Sequence, residues 1–275
     1  MTEIKKALTI AGSDTSGGAG IQADLKTFQE LDVYGMTALT VIVAMDPHNG
    51  WAHQVFPVDL DIVEKQLECV LAGIGVDAAK TGMLGSVELI ELIARKLDQY
   101  KVQKLVVDPV MVCKGTDEVL QPDVAVALRE ILVPRAVVVT PNLFEAAQLA
   151  KRPPIKTLDD MKEAAARIQE AGAQYVLVKG GAKLPHEKAI DLLYDGREFT
   201  VLESERLATT YTHGAGCTTS AAICAELAKG KSAREAIARA KVFISTALKY
   251  GFPLNQYVGP TLHSALRRFG PVSVK

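Results

Sequence analysis

The chain has 275 residues, 48% hydrophobic and 23% charged, the balance of a globular protein rather than of a disordered or collagen-like one. Its 31 basic and 32 acidic residues leave a formal charge of −1, so no large net field draws it to nucleic acid or anionic lipid. Four cysteines, Cys69, Cys113, Cys217 and Cys224, include no C-x-x-C pair, which argues against a zinc spacing or disulfide scaffold and for a reducing, cytoplasmic setting.

Taken in chain order, the apolar run before Gly12 is too short for a signal peptide, and no later run has the length of a membrane helix. Ala7–Ala11 reads as a buried strand and Gly20–Leu31 as a helix with Ile21, Leu25 and Phe28 on one face. Thr37–Ala44, β-branched and apolar throughout, fits a strand covered on both faces. Ile62–Leu71 and Val87–Leu97 have helical periodicity. Lys104–Val110 is a strand, Val124–Leu132 a helix, and Ala136–Thr140 a strand stopped by Pro141. Leu158–Ala171 is a helix closed by Gly172, and Tyr175–Lys179 a strand running into Gly180-Gly181. Ala189–Tyr194 and Glu198–Leu202 flank Asp195-Gly196, a hairpin signal. Helices Gly216–Lys229 and Ala233–Tyr250 follow. Repeated strand-then-helix order implies one α/β domain spanning residues 1–275, its mostly parallel sheet covered by helices on both faces with a hairpin near one edge.

In such sheets ligands sit beyond the carboxyl ends of the strands, and four segments stand out there. Gly12–Gly20 (G-S-D-T-S-G-G-A-G) joins a strand to a helix. Its Gly18-Ala19-Gly20-Ile21-Gln22-Ala23 superficially matches a dinucleotide fingerprint, although residues intervene between strand and first glycine; a plain, flexible strand-to-helix connection fits this motif better. No G-x-x-x-x-G-K-[ST] segment exists, so there is no P-loop. Thr212–Cys217 (T-H-G-A-G-C) opens an apolar helix, where successive N–H groups can form an anion hole, or simply a turn. Cys217 in that first turn is expected to have a thiol pKa below about 8.5 and so to act as a base near neutrality, the bland alternative being a small buried side chain. Asp108, directly after a strand, suits magnesium, which takes one or two carboxylates, waters and phosphates; the polar stretch after it could be a flap. Asn142 and Glu145 (T-P-N-L-F-E) fit a capping box or a metal role equally. Lys179 in V-K-G-G fits a phosphate binder or an edge charge.

The motifs in this order resemble the ribokinase superfamily, in the branch of pyridoxal and hydroxymethylpyrimidine kinases. The resemblance runs nearly end to end and is carried by A-L-T-I-A-G-S-D-x-S-G-G-A-G-I-Q-A-D-L-K-T-F, K-T-G-M-L, D-P-V-M, T-P-N-L-x-E, V-K-G-G and T-H-G-A-G-C. It implies a three-layer α/β/α sandwich, ATP as phosphoryl donor with Mg2+, the hydroxymethyl group of a small aromatic heterocycle as acceptor, and a homodimer. It further implies that Asp108 and Glu145 hold magnesium, that Asn142, Lys179, Gly181, Thr212, His213 and Gly214 surround the nucleotide, and that Gly214, Ala215, Gly216 and Cys217 form the anion hole. Cys217 would stand where most of the superfamily has an aspartate base. Gly20, Asp24, Met45, Met83, Val110, Cys113 and Lys114 would lie on the acceptor side.

One departure bears on the acceptor. Hydroxymethylpyrimidine kinases usually read A-x-T-A-Q-N-T after the second strand, whereas Ala44–Asn49 here is A-M-D-P-H-N. Met45 replaces the amide expected to pair with the aminopyrimidine edge, and a thioether is a weak acceptor and no donor. This exchange resembles the vitamin B6 kinases of the branch, so pyridoxal, pyridoxine and pyridoxamine are the expected acceptors, with hydroxymethylpyrimidine the alternative and a non-catalytic nucleotide or B6 sensor or an NAD-dependent dehydrogenase further off. An aldehyde acceptor could also add reversibly to Cys113 or Cys217 as a hemithioacetal, with Lys114 as an imine competitor.

Overall fold

The protein is described by a computed structural model covering residues 3–111 and 122–274. Within these residues the strands are β1 (Lys6–Asp14), β2 (Tyr34–Asp46), β3 (Ala52–Pro57), β4 (Ala78–Thr81), β5 (Leu105–Val107), β6 (Val138–Val139), β7 (Tyr175–Gly181), β8 (Ala189–Tyr194) and β9 (Phe199–Ser204). The helices are α1 (Gly20–Glu30), α2 (Leu60–Leu71), α3 (Val87–Gln99), α4 (Pro122–Ala127), α5 (Leu143–Leu149), α6 (Leu158–Glu170), α7 (Ala215–Ala228), α8 (Ala233–Lys249) and α9 (Ala265–Phe269). The strands form one sheet in the order β3-β2-β1-β4-β5-β6-β7-β8-β9. The six strands from β2 to β7 in that order run parallel, while β3 and β8 are antiparallel to their neighbours.

The expected α/β/α sandwich is therefore present, with one correction: a hairpin closes each edge of the sheet, not one. The β2–β3 hairpin escapes the sequence pattern because β3 is mostly exposed and carries no apolar run. β4 escapes it because four residues, Ala-Ala-Lys-Thr, are too few to show a period.

Side-chain alternation along the strands divides the core in two. Leu8, Ile10, Ala79, Val107, Val139 and Val178 join the cluster under α2, α3, α5 and α6. Ala7, Ala78, Val106, Val138 and Leu177 point the other way, into the cluster with α1, α7 and α8. α7 is buried on every side from Thr218 to Ala228, as expected of a helix apolar all round; it packs on α1, α8, β1, β4 and β5.

The next residue on that second face of each strand is polar. Two positions beyond Ala7, Ala78, Val106, Val138 and Leu177 stand Thr9, Lys80, Asp108, Thr140 and Lys179. A polar row thus crosses the carboxyl end of the sheet under the first turns of α7. The order of the strands reverses between β1 and β4, the kind of switch point at which open α/β sheets bind ligands.

Phe28 anchors α1 to this face: it is fully buried, and a Cβ on Gly35 would come within 2.8 Å of its ring. Phe28→Ala should lower the unfolding free energy by about 3–5 kcal/mol, read from urea denaturation with an unchanged slope; a loss below about 1 kcal/mol would show that α1 is not held by this contact.

Candidate active site

A cavity of about 1390 Å³ runs along the carboxyl ends of the strands. At one end it is walled by β1, β2 and β3, including Met45 and His53, which face each other in the β2–β3 register. At the other it reaches Gly181, Asp191, Lys241 and the segment around Pro271. Asp108, Lys179 and the start of α7 lie between. Every expected site residue among the described ones lines this cavity except Asp24. Cys113 and Lys114 lie outside the described residues.

Asp24 does not face the cavity. Its carboxylate is fully buried and accepts hydrogen bonds from Lys80 Nζ at 2.8 and 3.0 Å and from Thr9 Oγ1 at 2.6 Å. The cavity side of this contact is Lys80, a residue quoted in K-T-G-M-L but given no role from sequence; a lysine inside an otherwise apolar central strand is the signal that could have found it.

The two glycine-rich segments meet. Asp14, at the end of β1, accepts from Ser16 N at 2.9 Å, from Ala19 N at 2.7 Å and from the His213 ring at 2.6 Å, and its main-chain carbonyl accepts from Gly17 N. The first loop's amides therefore turn inward on Asp14, which removes the dinucleotide-fingerprint alternative: those N–H groups are not open to a pyrophosphate. Burial works against the Asp14 charge, but the His213 and Ser16 contacts outweigh it and lower its pKa to about 2. The His213 ring is thus fixed at the junction of the two loops, on the wall of the cavity. The junction is tight: a Cβ on Gly214 would overlap the Gly18 carbonyl oxygen, and Gly214 has φ +77°, open to glycine at little cost.

That left-handed glycine starts α7. Helices α3, α5, α6 and α8 begin with side-chain caps from Ser86, Asn142, Thr157 and Ser232, whereas α7 has none. Fewer N–H groups are free at this helix start than the motif suggests, because Ala215 N turns back to donate to Thr212 O at 3.1 Å. Gly216 and Cys217 follow in the first turn, where helical geometry itself supplies no partner for N–H groups.

The charged centre lies beside them. Lys179 Nζ is 3.0 Å from Asp108 Oδ1, and Asp108 also accepts from Thr140 Oγ1 at 3.3 Å and from Ser220 Oγ at 3.1 Å. A Cβ on Gly216 would come within 3.3 Å of Lys179 Nζ, so the ammonium sits against the start of α7. Burial opposes both charges, but Lys179 and Lys80 lower the Asp108 pKa, while Asp108 and Glu145 raise that of Lys179. Asn142 and Glu145 form the capping box of α5, with Glu145 N donating to Asn142 Oδ1 at 2.9 Å and Asn142 N to Glu145 Oε2 at 2.8 Å. Burial and the nearby Asp108 charge nevertheless push Glu145 up to about 7. A carboxylate held that uncomfortably beside another is relieved by a cation. Among the described residues no group of three or more His, Cys, Asp or Glu could cage a metal, so the pair fits magnesium that keeps its waters and shares phosphate oxygens rather than an all-protein site.

Cys217 opens to the cavity but is ringed by protein. Burial pushes its thiol up to about 11, with Asp24 and Asp108 adding to the effect and Lys80 and the Gly20 N–H opposing it. The expected low pKa is therefore wrong for the ligand-free protein: the helix start does not offset the loss of water.

The family model described as phosphomethylpyrimidine kinase matches residues 14–262. The chain is 65% identical over 262 residues to a pyridoxine kinase of Bacillus subtilis (strain 168), covering 95% of this chain and 97% of that one. It is 43% identical to the hydroxymethylpyrimidine/phosphomethylpyrimidine kinase of the same organism, covering 96% and 97%. The solved pyridoxal kinase from Staphylococcus aureus in complex with AMP-PCP and pyridoxal superposes with a TM-score of 0.93 at 49% identity, covering 99% of this chain and 98% of that one.

Glu145 gives a pH test. Its pKa rises on folding from 4.5 to about 7, so the folded state takes up its proton more readily. This contribution to stability is complete below pH 4.5 and is lost as pH rises through about 7. Melting temperatures of the ligand-free protein between about pH 5 and 8 should therefore fall more steeply for wild type than for Glu145→Gln; parallel curves would show that Glu145 is not strained by its burial.

Proposed function

The chain belongs to the phosphomethylpyrimidine kinase family, and from that footing we propose that it transfers the γ-phosphoryl group of ATP to the 5′-hydroxymethyl group of pyridoxal, pyridoxine and pyridoxamine. The observation that carries the choice of acceptor is Met45, which lines the acceptor end of the cavity with a thioether where a pyrimidine kinase is expected to offer an amide. The identity with the B. subtilis pyridoxine kinase supports the same choice. The family match itself favours hydroxymethylpyrimidine as a second reading.

In this reading the acceptor ring lies between Met45, Met83, Val110 and Gly20, and the nucleotide phosphates lie toward Asn142, Lys179, Gly181, Thr212 and Gly214. The hydroxymethyl oxygen attacks the γ-phosphorus, the bond to the β–γ bridging oxygen breaks, and the hydroxyl proton passes to the Cys217 thiolate. Lys179 and the Gly216 and Cys217 N–H groups take the charge on the equatorial oxygens. Magnesium, held by Asp108 and Glu145 with water, would supply neutralisation of phosphate charge. A thiol pushed up to about 11 must first give up its own proton, so the step draws on the thiolate form of Cys217; a loose transition state demands little proton transfer before the bond to phosphorus weakens, which keeps the demand on that base small. The family resemblance also implies a homodimer working in the cytoplasm; no helix among the described residues is long and apolar enough to cross a membrane.

Two measurements test this. With Mg-ATP, kcat/KM for the B6 vitamers should exceed that for hydroxymethylpyrimidine by about tenfold or more, roughly 1.4 kcal/mol, and Met45→Gln should narrow the gap; the reverse preference would move the protein to the second reading. Cys217→Ala should lower kcat at least about 100-fold, and an unchanged kcat would remove Cys217 as proton acceptor.

A further inference from the structure

Lys80 is the one fully buried lysine of the polar row, and neither the family motifs nor the mechanism above gives it a task. It stands mid-sheet on β4, on the face covered by α1 and α7, with Thr9 beside it on β1 and Asp24 above it on α1. Its ammonium binds both Asp24 oxygens, and a Cβ on Gly82 would come within 3.2 Å of Nζ, so the charge lies just under the cavity wall that Gly82 forms. Bringing two charges out of water is costly, and apolar residues of similar volume usually serve stability as well or better. A buried pair directly under a reaction cavity therefore calls for a use beyond holding β1, β4 and α1 together.

Four charged side chains act on Cys217 from the elements packed around it: Lys80 from β4, Asp24 from α1, Asp108 beyond β5 and Lys179 from β7. The two carboxylates disfavour a thiolate and the two ammoniums favour it. Lys179 is engaged by Asp108 and, in the reading above, by phosphate, which leaves Lys80, held by Asp24 on the wall of the same cavity, as the cation whose charge stays in place throughout. Lys80 and Cys217 line the same cavity, and the strand and helix that carry them, β4 and α7, pack on each other; at that range the ammonium favours the thiolate and the thiolate the ammonium.

We propose that Lys80 is a positioning residue that acts through Cys217: locked by Asp24 and Thr9 beneath the cavity floor, its permanent charge favours the thiolate side of the proton transfer. Cys217 as the proton acceptor is the reading on which the catalytic use of this coupling rests, but the coupling itself is measurable without turnover.

The test is the pH dependence of iodoacetamide alkylation at Cys217 in the ligand-free, full-length protein, followed by mass spectrometry of the Cys217 peptide, with exposed Cys69 as internal reference. Since the thiolate is the reacting species, Lys80→Met should slow Cys217 alkylation about tenfold or more at a given pH below the midpoint, moving the profile up by about one pH unit. Asp24→Asn, which leaves the lysine in place, should move the profile the opposite way and speed alkylation. A purely structural trio predicts that both variants loosen the site and change the rate in the same direction; that result, or unmoved profiles, would overturn the proposal. If Lys80→Met does not fold, Asp24→Asn alone decides, with a slower or unchanged rate counting against the coupling. Opposite shifts in alkylation together with an undiminished kcat in Cys217→Ala would separate the two ideas: the coupling would stand and the proton-acceptor reading would fall.

Discussion

The architecture turns on one constraint: five polar side chains, Thr9, Lys80, Asp108, Thr140 and Lys179, follow the apolar inward-facing residues of five parallel strands, and something must satisfy them. Left under an ordinary apolar helix they would be unpaired buried groups, each costing about 1–3 kcal/mol or more. The structure meets this by pairing Lys80 with Asp24, pairing Lys179 with Asp108, adding Ser220 to Asp108 from α7, and ending α7 over the row with a start that has no side-chain cap. The same requirement explains the glycines. Gly214 and Gly216 allow the helix start to come down on the row, and Gly18 allows the first loop to close against it.

The pairs also set the chemistry of the cavity. Positive and negative groups alternate from Lys80 to Asp108 to Lys179 to Glu145, so each carboxylate lies near an ammonium. Glu145 is the least compensated member, and its raised pKa marks it as the position where an additional cation brings most relief. Cys217 has the opposite difficulty: its neutral form is comfortable and its charged form is not. Both groups are poised by burial rather than by the helix dipole, which is weak against the loss of water at this depth.

Much of this was legible in the sequence. The β-then-α alternation fixed the class, because strands covered on both faces must be apolar runs and the helices between them must be amphipathic. The motif positions at strand ends located most of the cavity wall, since ligand sites in open sheets follow from topology. What escaped has physical causes. β3 is an exposed edge strand without an apolar run. Asp24 sits on α1 in a motif that points at a ligand site, yet its partner Lys80 is fifty-six positions away on β4, and no local pattern encodes that contact. The Cys217 expectation failed because it weighed the local helix start and not the enclosing protein. Cys113 and Lys114, the expected hemithioacetal and imine positions of the flap, lie outside the described residues.

The hairpins at the two edges of the sheet have a consequence for how such a scaffold can change. The wall built by β1, β2 and β3 comes from the first 57 residues, while the opposite wall comes from β7 onward. The polar row runs from one to the other, from Thr9 on β1 to Lys179 on β7, with Lys80, Asp108 and Thr140 between. Altering one wall need not disturb the other or the charged centre, so substitutions near Met45 and His53 can retune one partner of the reaction while the rest of the machinery is inherited intact. The sheet thereby separates, along a single axis, what is free to diversify from what must stay fixed.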